Sequence, residues 1–259
     1  MVRPGTPRTG GLRRSTPIAT STAINRAFYD DLWRGVKLQP PRKFNTWPLL
    51  SRLAASAANR LEIGPGMRPR LPIGGTLFID LSTAAVAALR RLGGRAKTGE
   101  ITALPYGDAA FDLVCAFDIV EHAANDQRAL AEIARVLRPG GTLVLSVPLY
   151  MSAWTFFDEL VGHFRRYEPG DLQALLATHG FTLEQSAAFG MQPRSQLLLR
   201  FGMWWVRNRY AHAMRWYNAV VMPLGLLLQP RLKFVPGLVG DPQVDEVVLV
   251  CRRAGSRST

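Results

Sequence analysis

The chain has 259 residues, enough for one α/β domain with an elaboration or two small domains, and its 47% apolar content is ample for a packed core. No run of about 18 uncharged apolar residues occurs, so no membrane-spanning helix is expected. Two cysteines exclude a disulfide framework and point to a reducing cytoplasm, while the net charge of +13 keeps acidic partners such as RNA or an anionic membrane surface in view.

Met1 to Thr22 is made of Arg, Pro, Thr and Gly without an apolar h-region, so residues 1–22 read as a disordered basic tail rather than a secretory signal. Residues 23–58 are expected to form helices capping a ligand site, with Phe28, Tyr29 and Trp33 at helical spacing and a helix over 47–58. Leu61-Glu62-Ile63-Gly64-Pro65-Gly66 reads as a strand running into a glycine turn, where no side chain separates backbone from ligand. Phe78-Ile79-Asp80-Leu81-Ser82 reads as a second strand with an acid at its tip, placed to accept hydrogen bonds from a ribose diol.

Pro69 replaces the third glycine of a dinucleotide fingerprint, and Arg68, Pro69, Arg70 and Pro72 leave little room for a phosphate-binding helix. Ser82 or Thr83 caps a helix stopped by Gly93-Gly94, and a short strand leads to Glu100. Phe111–Phe117 is a buried strand ending near Asp118, Asn125 or Asp126 starts an amphipathic helix, and Pro139-Gly140-Gly141 turns into a strand over 142–147. Alternating strands and helices predict a parallel sheet with right-handed crossovers. Four carboxylates (Glu62, Asp80, Glu100, Asp118) at successive strand ends of a basic chain suit a cationic, diol-bearing ligand, and S-adenosylmethionine fits that description.

Taken together, LEIGPG (61–66), FIDLS (78–82), GEITALPYGDAAFDLV (99–114), FDIVEH (117–122), RVLRPGGTLVLSVP (135–148) and GHFRRYEPGDLQALLATHGF (162–181) resemble the class I S-adenosylmethionine-dependent methyltransferases of the type 11 kind. The resemblance covers residues 59–185 and departs from the family at Arg68, where a third glycine belongs. It implies a Rossmann-like doubly wound α/β sheet of seven strands, mostly parallel, whose last strand runs antiparallel over 244–251. A core over 59–188 would bind S-adenosylmethionine, a helical lid over 189–243 would cover the substrate, and 244–259 would hold the last strand and a tail.

The resemblance also distributes roles. Gly64 and Gly66 would let the backbone approach the methionine moiety, Glu62 would orient its amino group, and Asp80, beside Leu81, would hold the ribose. Glu100 would accept from the adenine amino group, with Ile101 and Leu104 packing on the ring, and Phe117 and Asp118 would close the cofactor site. His122 reads as a general base or an orienting residue, and His163 is the second catalytic candidate. Arg165, Arg166 and Tyr167 lie where the family places substrate contacts, and Arg165 and Arg166 read equally as a solvated face.

From Arg194 to Lys233 there are seven basic residues and no acid, interleaved with aromatics including Trp204, a candidate substrate contact. This segment reads as a lid packed on the sheet, or as a basic amphipathic face for peripheral membrane contact. The four histidines (122, 163, 179, 212) are scattered without metal-ligand spacing, so no metal is expected. Phe117-Asp118-Ile119-Val120 stands where amino-methylating relatives carry Asn/Asp-Pro-Pro-aromatic. The preferred reading is therefore an enzyme that methylates oxygen or carbon of a small, apolar or amphiphilic molecule. An RNA methyltransferase and a non-catalytic cofactor-binding module are the alternatives, nucleic acid is the disfavoured partner, and the oligomeric state is left open.

Overall fold

The computed structural model describes residues 29, 30, 33, 36–190 and 196–255, so the expected tail over 1–22 and the aromatic Phe28 lie outside the described residues. Eight strands form one sheet in the order β3-β2-β1-β4-β5-β8-β6-β7. They are β1 (Arg60–Ile63), β2 (Thr76–Asp80), β3 (Arg95–Thr98), β4 (Phe111–Phe117), β5 (Leu137–Pro148), β6 (Phe181–Ala188), β7 (Val235–Pro236) and β8 (Glu246–Arg253). The first five pair in parallel, and β8 inserts antiparallel between β5 and β6. The expected seven strands become eight because Val235 and Pro236 add a two-residue edge to β6. Ser186 anchors that edge: its hydroxyl donates to Gly237 O and accepts from Val239 N, both at 2.7 Å.

Strand β4 shows how the pattern builds the core. Phe111, Val114 and Ala116 belong to an apolar cluster that takes Leu130, Ile133 and Val136 from α3 (Asp126–Val136) and Leu172, Leu175 and Leu176 from α5 (Pro169–Thr178). Leu113, Cys115 and Phe117 belong to a second cluster with Leu49, Leu50 and Ala54 of α1 (Trp47–Ser56) and with Leu71. Successive side chains thus feed cores on opposite faces, which is why this strand is apolar throughout.

Caps fall where expected. Ser82 Oγ accepts from Ala85 N at the start of α2 (Thr83–Arg91), and Asn125 Oδ1 accepts from Arg128 N at 2.8 Å at the start of α3. Strand β5, however, begins at Leu137 rather than at Thr142. Leu137 already pairs with Phe111, and Gly140, at φ +72°, lets the intervening residues bulge without ending the ladder. No helix forms between β1 and β2, where Pro65, Pro69 and Pro72 punctuate residues 64–75.

A short helix α4 (Phe156–Val161) precedes α5, and the insertion before β8 contains α6 (Gln196–Asn208), α7 (Tyr210–Trp216), a π-helical turn Tyr217–Val221 and α8 (Met222–Leu228). Met222 and Leu226 bury themselves on Phe44, with Tyr217 alongside. Gln229 clips the joint, accepting from Asn45 N and donating to Lys43 O, both at 2.8 Å. The insertion therefore rests on the segment before α1. No helix among the described residues is long and apolar enough to cross a membrane.

Candidate active site

The carboxyl ends of β1, β2 and β4 open on one cavity of about 750 Å³. At the end of β1 the chain turns through Gly64 (φ +64°) and Gly66 (φ +54°), a region side chains rarely tolerate. Space matters as much: a Cβ on Gly64 would lie 2.2 Å from Ile119, and one on Gly66 2.6 Å from the Trp33 ring. Gly64 N donates to Ile79 O at 2.7 Å, which locks the turn to β2.

Asp80, at the tip of β2, completes that lock. Its Oδ2 accepts from Gly66 N and its Oδ1 from Ser82 N, both at 2.8 Å. Each oxygen keeps a further lone pair, so the carboxylate that shapes the turn can also accept from a vicinal diol. Burial raises its pKa to about 6 despite the two backbone donors. Leu81, Ile101 and Glu100 line the same end of the cavity. This donor and acceptor set, apolar walls with one diol-accepting acid beside bare backbone, fits a nucleoside such as that of S-adenosylmethionine.

Several expected roles change. Glu62 is 1% exposed and spends both oxygens on the loop, accepting from Arg70 N at 2.8 Å and Leu71 N at 2.9 Å. It reaches the cavity wall, but its visible work is to hold the helix-less loop; burial lifts its pKa to about 7. Leu104 belongs to the core under the sheet and is not a cavity wall. Phe117 and Asp118 do line the cavity, and Asp118 sits at φ +52°, held by a 2.5 Å hydrogen bond from Ser146 Oγ.

Arg165 is a strut rather than a substrate contact: it pairs with Asp126 at 2.5 Å and donates to the carbonyls of Ala123 and Ala124. Tyr167 is 5% exposed in the core, and its hydroxyl donates to Asp126 at 3.2 Å. Trp204 faces out at 58% exposure beside Phe201, and its neighbour Trp205 lines the cavity in its place.

Arg166 stays at the cavity, buried and paired with Asp158 at 2.8 and 3.2 Å. Asp158 also accepts from Thr155 N and Oγ1, and its Oδ1 lies 2.9 Å from His163 Nδ1. Burial alone would raise this acid; His163, Arg166 and Thr155 hold it well below the usual carboxylate range. A neutral His163 that donates from Nδ1 presents Nε2 as an acceptor, 3.8 Å from Glu121 Oε1.

His122 lines the same wall, its ring 4.5 Å from that of His163 and its Nε2 3.1 Å from Tyr29 Oη. Desolvation and His163 lower its pKa to about 3, against the opposing pull of the Gly162 carbonyl and Asp158. Burial thus disfavours the charged form of this ring, whose orientation is set by Tyr29. Glu121, between these rings, was passed over in the sequence for its histidine neighbour. It is fully buried, and neither carboxylate oxygen has a hydrogen-bond partner. Asp158 was also missed, although Thr155-x-x-Asp158 is a legible capping box.

The insertion supplies the roof: Met203, Trp205, Val206, Met214, Tyr217 and Met222 all face the cavity. One end is thus built for a nucleoside, the middle carries the Glu121–His122–His163 wall, and the roof is apolar.

Several known proteins are similar to this chain. A family model described as a methyltransferase domain matches residues 69–145. A probable S-adenosylmethionine-dependent methyltransferase of Mycolicibacterium smegmatis is 32% identical over 112 residues, covering 42% of this chain and 44% of the relative. An O-methyltransferase of Penicillium expansum is 37% identical over 83 residues, 30% of each chain. The chain thus spans less than half the length of the curated relatives it matches. Among solved structures, the 1,6-didemethyltoxoflavin-N1-methyltransferase of Burkholderia thailandensis superposes with a TM-score of 0.55 at 15% identity, covering 94% of this chain and 93% of that one. The [4+2]-cyclase SpnF does so with a TM-score of 0.53 at 18% identity, covering 96% and 100%. Those two likenesses speak for the fold, and the family match makes residues 69–145 a methyltransferase domain similar to those of S-adenosylmethionine-dependent methyltransferases.

Proposed function

We propose that the chain binds S-adenosylmethionine at the Gly64–Asp80 end of the cavity and methylates oxygen or carbon of a small apolar or amphiphilic acceptor. The observation that supports this most is continuity: one cavity is lined by the glycine turn and Asp80 at one end and by the apolar side chains of α6, α7 and the π turn at the other. The cofactor supplies an electrophilic methyl group, so the protein's tasks are alignment and exclusion of water. Asp80 and the Gly64–Gly66 backbone hold the nucleoside side. Trp205, Met214 and Tyr217 shield the far side, and the buried Glu121–His163 wall lies where an acceptor's oxygen or acidic carbon would rest.

An amphiphilic acceptor is favoured by the outer face of the same insertion. Leu197, Phe201, Trp204, Trp216, Leu227 and Leu228 are all more than half exposed, beside exposed Arg200, Arg207 and Arg215. Such a face suits the headgroup level of an anionic membrane surface. The test is a screen of phenolic, quinol and lipid-like acceptors with cofactor carrying a labelled methyl group. Label transfer to an amphiphilic acceptor supports the reading, and transfer only to RNA or protein overturns it.

A further inference from the structure

Glu121, His122 and His163 come from two separate segments, the 3₁₀ turn Val120–His122 after β4 and the loop after α4, and meet in the cavity wall. One ligand atom of each lies within 4.8 Å of the others. We propose that this cluster is a binding site for a divalent first-row transition metal ion, held by the Glu121 carboxylate and one ring nitrogen from each histidine.

The argument starts from Glu121. A carboxylate with no exposure and no donor on either oxygen is costly, and it requires a proton or a cation. Besides its own backbone N–H and the more distant Arg166, the carboxylate faces a ring nitrogen, His163 Nε2, 3.8 Å from its Oε1. The wider charge balance also favours a cation. Asp118, Asp158 and Glu246 surround the cluster, and Arg166 is already spent on Asp158. Two neutral imidazoles and one carboxylate on one side of an ion, with the other side open to a cavity, is a ligand set of intermediate softness. It suits iron(II), zinc, manganese or cobalt and disfavours magnesium or calcium, which take oxygen ligands.

Geometry sets one demand. Ligand atoms about 2.1 Å from a shared ion and grouped on one side of it are about 3.0–3.4 Å apart, so a cluster whose atoms lie within 4.8 Å of one another closes by up to roughly 1.5 Å on binding, within reach of side-chain rotation. The outer shell is in place: Asp158 Oδ1, 2.9 Å from His163 Nδ1, fixes that ring with Nε2 turned inward, the carboxylate–histidine–metal arrangement. Tyr29 Oη does comparable work at His122 Nε2 if that ring ligates through Nδ1, with the Gly162 carbonyl as the competing acceptor at this ring.

This deepens the reading given above and rests on it only for the ion's use: the open positions face the acceptor's half of the cavity, where an acceptor oxygen can complete the shell. Ligation takes the Nε2 lone pair, so an ion there excludes direct proton acceptance by His163.

The test needs no turnover. The full chain is stripped with chelator and titrated with zinc and manganese by calorimetry. It is also reconstituted with cobalt(II), whose visible absorption reports a nitrogen and oxygen ligand field. One equivalent is expected to bind, and Glu121→Gln, nearly isosteric with the native residue, is expected to weaken binding at least tenfold and to change the cobalt spectrum. His163→Gln is the second variant, with the same expectation. Binding of S-adenosylhomocysteine is measured on every sample, so that a misfolded variant is recognised and a failed metal site is distinguished from a failed cofactor site. No ion bound by the wild type, or equal binding by wild type and both variants, overturns the proposal.

Discussion

The guanidinium of Arg68 lies 5.6 Å from the centre of the Tyr217 ring, with the Trp33 ring 5.1 Å away. Arg68 occupies the place of the family's third glycine, and here it joins the loop after β1 to the roof of the cavity. Cation–π contacts of this kind contribute about 0.5–2 kcal/mol each. Arg68→Ala is expected to leave affinity for S-adenosylhomocysteine within about threefold, or ~0.7 kcal/mol, and to speed hydrogen exchange of the π turn Tyr217–Val221. An unchanged exchange rate there would show that the roof is held by other contacts.

Glu62 offers a pH test. Its pKa is raised from 4.5 to about 7, so its contribution is present below 4.5 and is lost as pH rises through 7. Glu62→Gln lacks this titration. The variant's melting temperature is therefore expected to gain on that of the wild type between pH 4.5 and pH 8. If it loses ground instead, the donors Arg70 N and Leu71 N outweigh burial.

Asp158 and Arg166 form a buried ion pair whose side chains are no more than 3% exposed. Removing one partner strands the other charge, at a cost of about 3–5 kcal/mol. Asp158→Asn is expected to lose stability on that scale in denaturant titration, whereas Arg165→Gln, whose pair is partly exposed, should lose about 1 kcal/mol or less. Equal losses would contradict the division between these adjacent arginines.

These two arginines show what was legible in the sequence. The five parallel strands follow from local patterns, an apolar run ended by glycine or by an acid, and the motif resemblance adds the antiparallel β8; the order of the strands in the sheet and strand β6 do not. Arg165 and Arg166 look alike as a pair, yet one meets Asp126 and the other Asp158, from different helices. Such long-range pairing leaves no periodic trace. Glu121 was hidden for the same reason: a polar residue after a strand reads as solvent-facing, and only the packing of α4 and the loop after it encloses the carboxylate. The short strand β7 was missed because two residues carry no alternation.

The outer face of the insertion predicts salt-sensitive sedimentation with vesicles rich in anionic lipid. Changing Arg200, Arg207 and Arg215 together to Glu is expected to abolish it, since each basic residue near such a surface contributes about 1 kcal/mol. Association that survives both the variant and high salt would contradict an electrostatic contact.

The central claim is that the Gly64–Asp80 cleft holds S-adenosylmethionine, and calorimetry with S-adenosylhomocysteine, with NAD as the comparison, tests it most directly. The wild type at pH 7.5 is predicted to bind one equivalent of S-adenosylhomocysteine and no NAD. Asp80→Asn should weaken that binding by about 1.5–3 kcal/mol, the scale of a lost charge-assisted hydrogen bond. With its pKa near 6, Asp80 is ionised above that pH and protonated below it, so wild-type affinity should fall at pH 5 while that of Asp80→Asn stays flat. Binding of NAD in preference to S-adenosylhomocysteine, or equal affinity of wild type and Asp80→Asn at pH 7.5, would contradict the account.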